Sequence, residues 1–556
     1  MRPGGALSET FDHVVIGAGS AGCVLANRLS ADPAHSVLLL EAGGADSQAT
    51  VAAPLAWTTV MTNPKLGWGY FAEPEESVAG RALPQPRGKL LGGTSSINGM
   101  MYTRGAASDY DGWGQMGLTG WSYADILPYF KRAESNWRGE GAYHGGKGPL
   151  SVTPQPRDPF LTPRMIETGK NLGYPENTDF NGESQTGFGV PDFTVRKGRR
   201  ASTSKAYLDP ARGRRNLTIR TGALLSRVVI EGGRATGVEY LRDGKLERVA
   251  AGEVIVSGGA FGSPQMLMLS GVGPADHLRE MGIEVALDHP GVGRNLQDHP
   301  LVLSVLQAAG AYALHEDLRL DRLALHSLQW SLFGSGRLAH NPLPVQGFVS
   351  LTPGQTTPDT QFQVSSVSMM AQPWFPGWRS SPGHQFTAAA IQLRPHGRGD
   401  VTLRSNNPAD APRIRLGLFQ HEADKAFARE AFHFIREYFA TEPAKSLISA
   451  ELMPGPACQS PDEIDAYIRS TIQTAMHPAC TCAMGTGGTA VVDGALKVHG
   501  LEGLRVCDAS AMPNIVSGNT NAPVIMMAEK AADIILSLAP PPPEVREPAE
   551  QKVQYA

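Results

Sequence analysis

An apolar run from Phe11 to Ile16, F-D-H-V-V-I, leads straight into Gly17-Ala18-Gly19-Ser20-Ala21-Gly22 and then into the helical pattern C-V-L-A-N-R-L. A glycine triplet alone also suits an ordinary strand-helix turn, and it is the strand before it, the helix after it and an acid in register that point to dinucleotide binding. The first glycine permits a tight turn, the second lets backbone approach a pyrophosphate, and the third lets the helix pack on the strand. Ser20 and Ala21 then sit at the helix N-terminus, whose positive dipole end faces the phosphates. A second apolar run, Ser36 to Leu40, ends at Glu41-Ala42, and 41 minus 22 puts Glu41 19 residues after the last glycine. Glu41 is therefore expected to hold a ribose hydroxyl pair, and the chain to open with a dinucleotide-binding α/β unit.

A chain of 556 residues exceeds one ordinary core, which predicts two units or one with large insertions. Its 49 basic and 53 acidic residues leave a net charge of -4, so nucleic acid is not an expected partner. No apolar run reaches the roughly 18 residues that span a bilayer, while peripheral membrane contact stays open. The opening M-R-P-G-G-A-L-S-E-T lacks the apolar stretch of a secretory signal, and a cytoplasmic location is the expectation. Five cysteines, Cys23, Cys458, Cys480, Cys482 and Cys507, are too few and odd in number for a disulfide framework. Cys480 and Cys482 near His477 lack the paired spacing of a zinc site, so no metal is expected.

Along the chain, residues 11 to about 155 read as the nucleotide-binding unit and its loops, and 156 to about 215 as an insertion. Asn216–Arg220, Arg227–Ile230 and Glu253–Ser257 read as strands returning to the first sheet. The last runs into Gly258-Gly259-Ala260-Phe261-Gly262-Ser263-Pro264 and a helical pattern, a junction that suits a structural turn and a cover over a cofactor equally well. Residues 301 to about 470 carry an amphipathic helix, His421 to Ala440, with Phe427, Ala431, Phe434 and Ile435 on one face. Trp374, Phe375 and Trp378 lie in a Pro- and Gly-broken segment that suits a loop over a pocket or plain surface packing. Pro540–Pro543 and the residues after it are expected to be extended or disordered.

Near the end, His477 in A-M-H-P-A-C-T-C-A-M-G precedes Asn519 in S-G-N-T-N-A-P. An imidazole can take a hydroxyl proton while an amide orients the same oxygen, which suits alcohol oxidation. Taken alone, a single histidine reads as a core residue and a single asparagine as a turn residue. His299, in N-L-Q-D-H-P, reads as a loop marker, and His315, His326, His340, His384 and His396 have no partner visible in sequence.

Between Gly88 and Asp111 runs G-K-L-L-G-G-T-S-S-I-N-G-M-M-Y-T-R-G-A-A-S-D-Y-D, which suits a glycine-rich surface turn or a loop wrapped on a polar cofactor. Together with G-A-F-G-S-P-Q-M-L-M-L-S-G-V-G-P at 259–274, the glycine triplet, H-P-A-C-T-C-A-M-G and G-N-T-N-A-P, it strongly resembles the glucose-methanol-choline (GMC) oxidoreductase family from residue 11 to about 538. The ending V-H-G-L-E-G-L-R-V-C-D-A-S-A-M-P looks most like the bacterial alcohol, choline and L-sorbose dehydrogenase branch.

The resemblance implies FAD, held by a Rossmann-like α/β domain interleaved with an α+β substrate-binding domain carrying an antiparallel sheet. The expected boundaries are 11–155, 216–300 and 471–538 for the first, 156–215 and 301–470 for the second, and 539–556 for a disordered tail. It implies cofactor contacts at Gly17, Gly19, Ser20, Ala21, Gly22, Glu41 and Ala42, and at Gly92, Gly93, Thr94, Asn98, Gly99, Met100 and Met101 of the loop. It further implies a backbone contact of Val228 to the adenine, Asp508 and Ala509 near the pyrophosphate, and Thr520, Asn521 and Pro523 under the isoalloxazine. His477 and Asn519 match the catalytic pair.

Relatives that bond FAD covalently through the signature loop have a histidine before the loop asparagine, whereas Ile97 stands here, so the flavin is expected to be noncovalent. Gly99 lacks a hydroxyl that some choline-oxidising relatives place there, which weighs against choline. The implied reaction is removal of an alcohol proton by His477 with hydride transfer to flavin N5, giving an aldehyde or ketone. A base with an ordinary histidine pKa near ~6.5 would make activity rise through the neutral range. The branch implies electron delivery to a quinone or another non-oxygen acceptor. The alternatives are an oxidase that makes hydrogen peroxide, a hydroxynitrile lyase on the same fold, an NAD-dependent dehydrogenase and a flavoprotein that uses FAD structurally. The substrate, a primary or secondary alcohol that is aliphatic, aromatic, a polyol or sugar, or a polyether terminus, and the oligomeric state are left open by these motifs.

Overall fold

The computed structural model describes residues 9–368, 371–381 and 383–544. Strand β1 (Thr10–Ile16) ends at the glycine turn, and helix α1 (Ser20–Leu29) leads to β2 (Val37–Leu40). The continuous apolar runs fit strands buried on both faces: Val14, Val15 and Val37 to Leu40 have no exposed surface. The chain returns much later with β3 (Leu217–Arg220), β4 (Leu224–Glu231), β5 (Arg234–Arg242) and β6 (Lys245–Val256). The sheet order is β3-β2-β1-β6-β5-β4, with Leu504–Val506 pairing along the far end of β6. Pairing is parallel from β3 through β1 to β6 and antiparallel across β6, β5 and β4.

Between the strands expected at Arg227–Ile230 and Glu253–Ser257 the structure adds β5, which the sequence pattern does not mark. Gly232 and Gly233, at φ 59° and 79°, make the two-residue hairpin turn that sends β5 back along β4. Helix α2 (Gly259–Leu269) follows β6, as the strand-turn-helix pattern anticipated.

The second unit is built on another sheet. Strand β7 (Pro300–Ala308) is followed by helix α3 (Leu320–Phe333), β8 (Val345–Val349), β9 (Thr360–Ser365) and β10 (Gln385–Gln392). The antiparallel order is Ile448–Met453, β7, β10, β9, β8, then Gly187–Gly189. One face, carrying Phe362, Val364, Phe386, Ala388 and Ala390, packs under helix α4 (Glu422–Ala440), which buries Ala431, Phe434, Ile435 and Tyr438. Phe427 is half-buried on the same side. The opposite face looks toward the first unit.

The structure decides one open loop reading and revises another. Trp374 is buried with its ring stacked on His315 at 9°, whereas Phe375 and Trp378 are exposed, and none of the three lines the cavity that runs past the glycine turn of β1. The segment is surface packing. Residues up to Glu544 are also ordered against the fold, because the Glu544 carboxylate pairs with Lys131 at 2.8 Å and its amide donates to Ala124. The remainder of the expected disordered tail, 545–556, lies outside the described residues.

Candidate active site

The last helix, α5 (Asn521–Ile535), packs on α1, and the two N-termini meet where the Ser20 hydroxyl donates to Asn521 Oδ1 at 2.7 Å. A long cavity passes this point. One end is lined by Leu40, Glu41, Ala42 and Ala223 to Leu225, the middle by Gly17, Gly19, Ser20 and Gly93 to Ser95, and the other end by His477 and Asn519.

The middle is narrow backbone that side chains would block. Gly17 has φ +98°, and a Cβ there would lie 2.5 Å from Ser257 O. A Cβ on Gly22 would lie 1.8 Å from Gly17 O, so α1 seats on the turn only with glycine. The cradle, with two helix N-termini aimed into it, fits the pyrophosphate of FAD. At the adenosine end Glu41 accepts the amides of Ala18 and Gly43 at 2.8 Å each, which fixes its carboxylate at the cavity wall. Burial pushes its pKa up to about 7.

Of the residues matched to cofactor contacts, Gly17, Gly19, Ser20, Ala21, Glu41, Ala42, Gly93, Thr94, Asn98, Gly99, Met100, Met101, Asp508, Ala509, Thr520 and Asn521 line this cavity. Four do not. Gly22 and Gly92 support the wall from behind, Gly92 by donating its amide to Ala18 O at 2.7 Å. Pro523 is buried within α5. Val228, matched for a backbone contact, lies off the cavity wall, with its amide donating to Ser270 Oγ at 2.8 Å and its side chain in the core. Ala223, Leu224 and Leu225 occupy that end instead. The junction at Gly258–Gly262 serves both alternatives, since it starts α2 and also lines the cavity.

The loop from Gly93 to Met101 is held by a residue the sequence did not single out. Arg200 is buried and donates to the carbonyls of Val51, Ser95 and Asn98 and to Asn98 Oδ1. Met100 adopts φ +62°, a strained turn that this scaffold imposes beside the site.

His477 and Asn519 converge: Asn519 Nδ2 lies 2.9 Å from His477 Nε2. The orientation of the amide is fixed by its other contacts. Asn519 Oδ1 accepts the Thr103 hydroxyl at 2.9 Å and Gln361 Nε2 at 3.4 Å, while the Asn519 backbone amide donates to Thr103 Oγ1. Its NH2 group therefore faces the imidazole, and the network assigns the lone pair of His477 to Nε2 and the hydrogen to Nδ1. That hydrogen points to His299 Nδ1, 3.0 Å away.

His299 is thus no loop marker. It is fully buried, held neutral by a pKa that burial lowers to about 3, and its amide and that of His477 both donate to Asp298 Oδ1 at 2.8 and 2.7 Å. Arg87 lines the same end and donates to Met476 O at 2.6 Å. Burial brings its pKa down to about 10, so it stays cationic at neutral pH. Burial, His299 and Arg87 together hold the His477 pKa well below the ordinary histidine value. A neutral imidazole with its lone pair at the cavity wall, beside an amide donor and a fixed cation, can accept a proton and stabilise an oxyanion.

A dinucleotide cradle closed at one end by such a pair defines an oxidoreductase. Two family models described as GMC oxidoreductase match residues 11–301 and 395–528, and the chain belongs to the GMC oxidoreductase family. It is an FAD enzyme of the class that acts on CH–OH donors. Among its relatives, the mitochondrial choline dehydrogenase of Mus musculus is 43% identical over 539 residues, covering 95% of this chain and 89% of that one. The oxygen-dependent choline dehydrogenase of Ectopseudomonas mendocina is 43% identical over 544 residues, covering 96% of each. Among solved structures, pyridoxine 4-oxidase from Mesorbium loti superposes with a TM-score of 0.85 at 30% identity, covering 95% of this chain and all of that one.

Proposed function

We propose that this protein oxidises an alcohol to an aldehyde or ketone, with His477 Nε2 as the base, and passes the electrons to a quinone or another acceptor than oxygen. The observation that carries the reading is the Nε2 lone pair at the cavity wall, locked there by Asn519 on one side and His299 on the other. An alcohol oxygen placed between Nε2 and Asn519 Nδ2 takes over the amide hydrogen bond that the imidazole accepts in its absence, and loses its proton to the freed Nε2 lone pair as the amide donates to the growing negative charge. Asn519 and the Arg87 charge stabilise that oxygen more as an alkoxide than as a hydroxyl, so they favour the transition state over the bound alcohol. FAD, when bound in the cradle, supplies the two-electron acceptor for the carbinol hydrogen.

The cofactor is held noncovalently on this reading. Ile97 is buried among Val51, Val60, Leu66 and Leu90 and offers no nucleophile, so acid precipitation should release the flavin into the supernatant. The mitochondrial choline dehydrogenase relative supports a dehydrogenase, while the oxygen-dependent name of the Ectopseudomonas mendocina relative favours oxygen as the acceptor. Stoichiometric peroxide formation in air would decide for oxygen.

Peripheral contact with a lipid surface fits a quinone acceptor. No helix among the described residues is long and apolar enough to cross a membrane. Helix α3, however, exposes Leu325, Leu328, Leu332 and Phe333 at 67%, 58%, 65% and 74%, far beyond the scattered apolar exposure of an ordinary surface. Its inner side, through Leu323 and Trp330, packs against Ala52, Ala53, Leu55 and Ala56, just before the cavity residues Trp57 and Met61.

The reaction is tested by mixing the holoenzyme anaerobically with a panel of alcohols and following bleaching of the flavin. His477→Ala should bind FAD as before yet be reduced at least ~100-fold more slowly by the best alcohol. Undiminished bleaching in that variant would remove His477 from the reaction.

A further inference from the structure

The alcohol is bound where the second sheet faces His477, and the residues of that wall say what kind of molecule fits. The sheet face opposite α4 turns Leu301 of β7, Gln363 and Ser365 of β9, and Ala389 and Ile391 of β10 toward the cavity. Asn341, Pro342, Leu343 and Met101 complete the wall. All are uncharged. Among the described residues, the carboxylates that line the cavity are Glu41 and Asp508, both at the nucleotide end, where Asp508 is already engaged by Ser263, Ser510 and the amides of Gly259 and Ser510. Asp298 lies behind the His477 backbone and outside the lining.

The charge that does reach this end is positive. Arg87 lines it, and the guanidinium stands 5.7 Å from the Phe261 ring centroid. Lys89 Nζ lies 4.6 Å from the Trp68 ring, and Trp68 stacks with Tyr70 at 14°. These aromatic faces are matched to cations of the protein itself. Trp57 is a further aromatic ring of the lining, packed near the Met100 and Met101 cluster, and one ring does not make a cage.

A quaternary ammonium group is held in proteins by a carboxylate, an aromatic cage or both, because a buried cation without them is not compensated for its lost water. From this wall we infer that the substrate is an uncharged alcohol with a mainly apolar body, and that choline is discriminated against despite the names of the relatives. The inference rests on the alcohol-oxidation reading and specifies its substrate class. The fixed positive charge serves both ends of the argument: Arg87 favours an alkoxide and repels a cationic alcohol.

Choline and 3,3-dimethylbutan-1-ol have the same shape and differ in that charge. The wild-type holoenzyme, mixed anaerobically with each, should be bleached with a bimolecular rate constant at least ~30-fold higher for the neutral compound. Equal or faster bleaching by choline overturns the inference. If neither bleaches the flavin while another alcohol of the panel does, competition against that alcohol decides: tighter inhibition by the neutral isostere supports the inference, and tighter inhibition by choline overturns it. If no alcohol bleaches a flavin that dithionite reduces normally, the proposed reaction itself fails and the substrate class falls with it. As a second arm, Gln363→Glu should raise the choline rate relative to the isostere at least ~10-fold where the flavin content is retained. An unchanged ratio in that variant removes Gln363 from the substrate wall and counts against the inference.

Discussion

His299 and His477 meet through their Nδ1 atoms at 3.0 Å, with ring planes 83° apart and centroids 5.2 Å from one another. One of two facing nitrogens must carry the hydrogen. Asn519 takes the Nε2 lone pair of His477 as its acceptor, so His477 is the donor across this contact and His299 the acceptor. His299 is therefore a positioning residue that fixes the tautomer and aim of the base.

Removing it has a defined consequence. His299→Ala should leave FAD content unchanged and lower the rate of anaerobic flavin reduction about fivefold, the loss expected for about 1 kcal/mol of hydrogen bonding at the transition state. His299→Asn, which offers an amide oxygen to the same Nδ1 hydrogen, should recover much of it. A cavity effect alone would leave both variants equally slow, and stopped-flow reduction of the two separates the cases.

The pH dependence follows from the same surroundings. The sequence led to a rise of activity through the neutral range, but burial first, then His299 and Arg87, lower the His477 pKa well below 6.5. The working form is the neutral imidazole, so a lowered pKa keeps the base competent to lower pH. The rate constant for kcat/KM should therefore be level between about pH 7 and 9, with no histidine step near 6.5. Asp298, raised to about 6 by burial, is a neighbour that titrates closer to this range, and a shallow step there should vanish in Asp298→Asn. A full acid limb centred near 6.5 in both proteins would contradict the environment described for His477.

How much of this was readable beforehand depends on the range of each interaction. The glycine turn and Glu41 leave local marks, because each glycine is required by a backbone approach within one strand-turn-helix unit. His477 and Asn519 were found through motif resemblance, since neither spacing nor periodicity joins residues 42 apart that meet through a single hydrogen bond. His299, Arg87 and Arg200 were missed for the same physical reason. Their partners lie 178, 389 and about 100 residues away in sequence, and a lone histidine or arginine in a loop or a two-residue strand carries no local signature. The second sheet was also poorly legible. β10, Q-F-T-A-A-A-I-Q, alternates between a face under α4 and a face in the cavity, so both are shielded from bulk water and the usual apolar-polar alternation is lost.

The joint between α1, α5 and the neighbouring helix Tyr123–Ala133 depends on one acid. Glu529 has no exposed surface and accepts Arg28 Nη2, Arg132 Nε and the Tyr207 hydroxyl, each at 2.8 Å. Glu529→Ala leaves Arg28 without its carboxylate and Arg132 with Asp533 alone, and because both guanidinium groups are about a third open to solvent it should cost about 1–3 kcal/mol. Because α1 and α5 present their N-termini to the cofactor cradle, FAD should also dissociate more readily. Thermal unfolding followed by flavin release checks both. Glu529→Gln keeps the hydrogen-bond acceptor without the charge and should fall between the variant and wild type, whereas a loss confined to flavin affinity would show that Glu529 acts on the cradle alone.

The exposed stripe on α3 bears on the electron acceptor. Leu325, Leu328 and Leu332 recur at helical spacing on one face, Phe333 continues it, and Arg319 and Arg322 stand at its N-terminal end beside Asp321 and Glu316. Full burial of a leucine side chain contributes roughly 1.5–3 kcal/mol, so three inserted together suffice to hold the protein at an interface. Leu325→Gln, Leu328→Gln and Leu332→Gln combined should abolish co-sedimentation with phosphatidylglycerol vesicles and slow reduction of a long-chain quinone carried in them at least ~10-fold. Alcohol-dependent reduction of a water-soluble dye should stay within about twofold, because none of the three residues lines the cavity. Vesicle binding that survives the triple substitution would rule out this face, and a shift of the variant from dimer to monomer in light scattering, with no vesicle binding by wild type, would reassign the stripe to a contact between two copies of the chain.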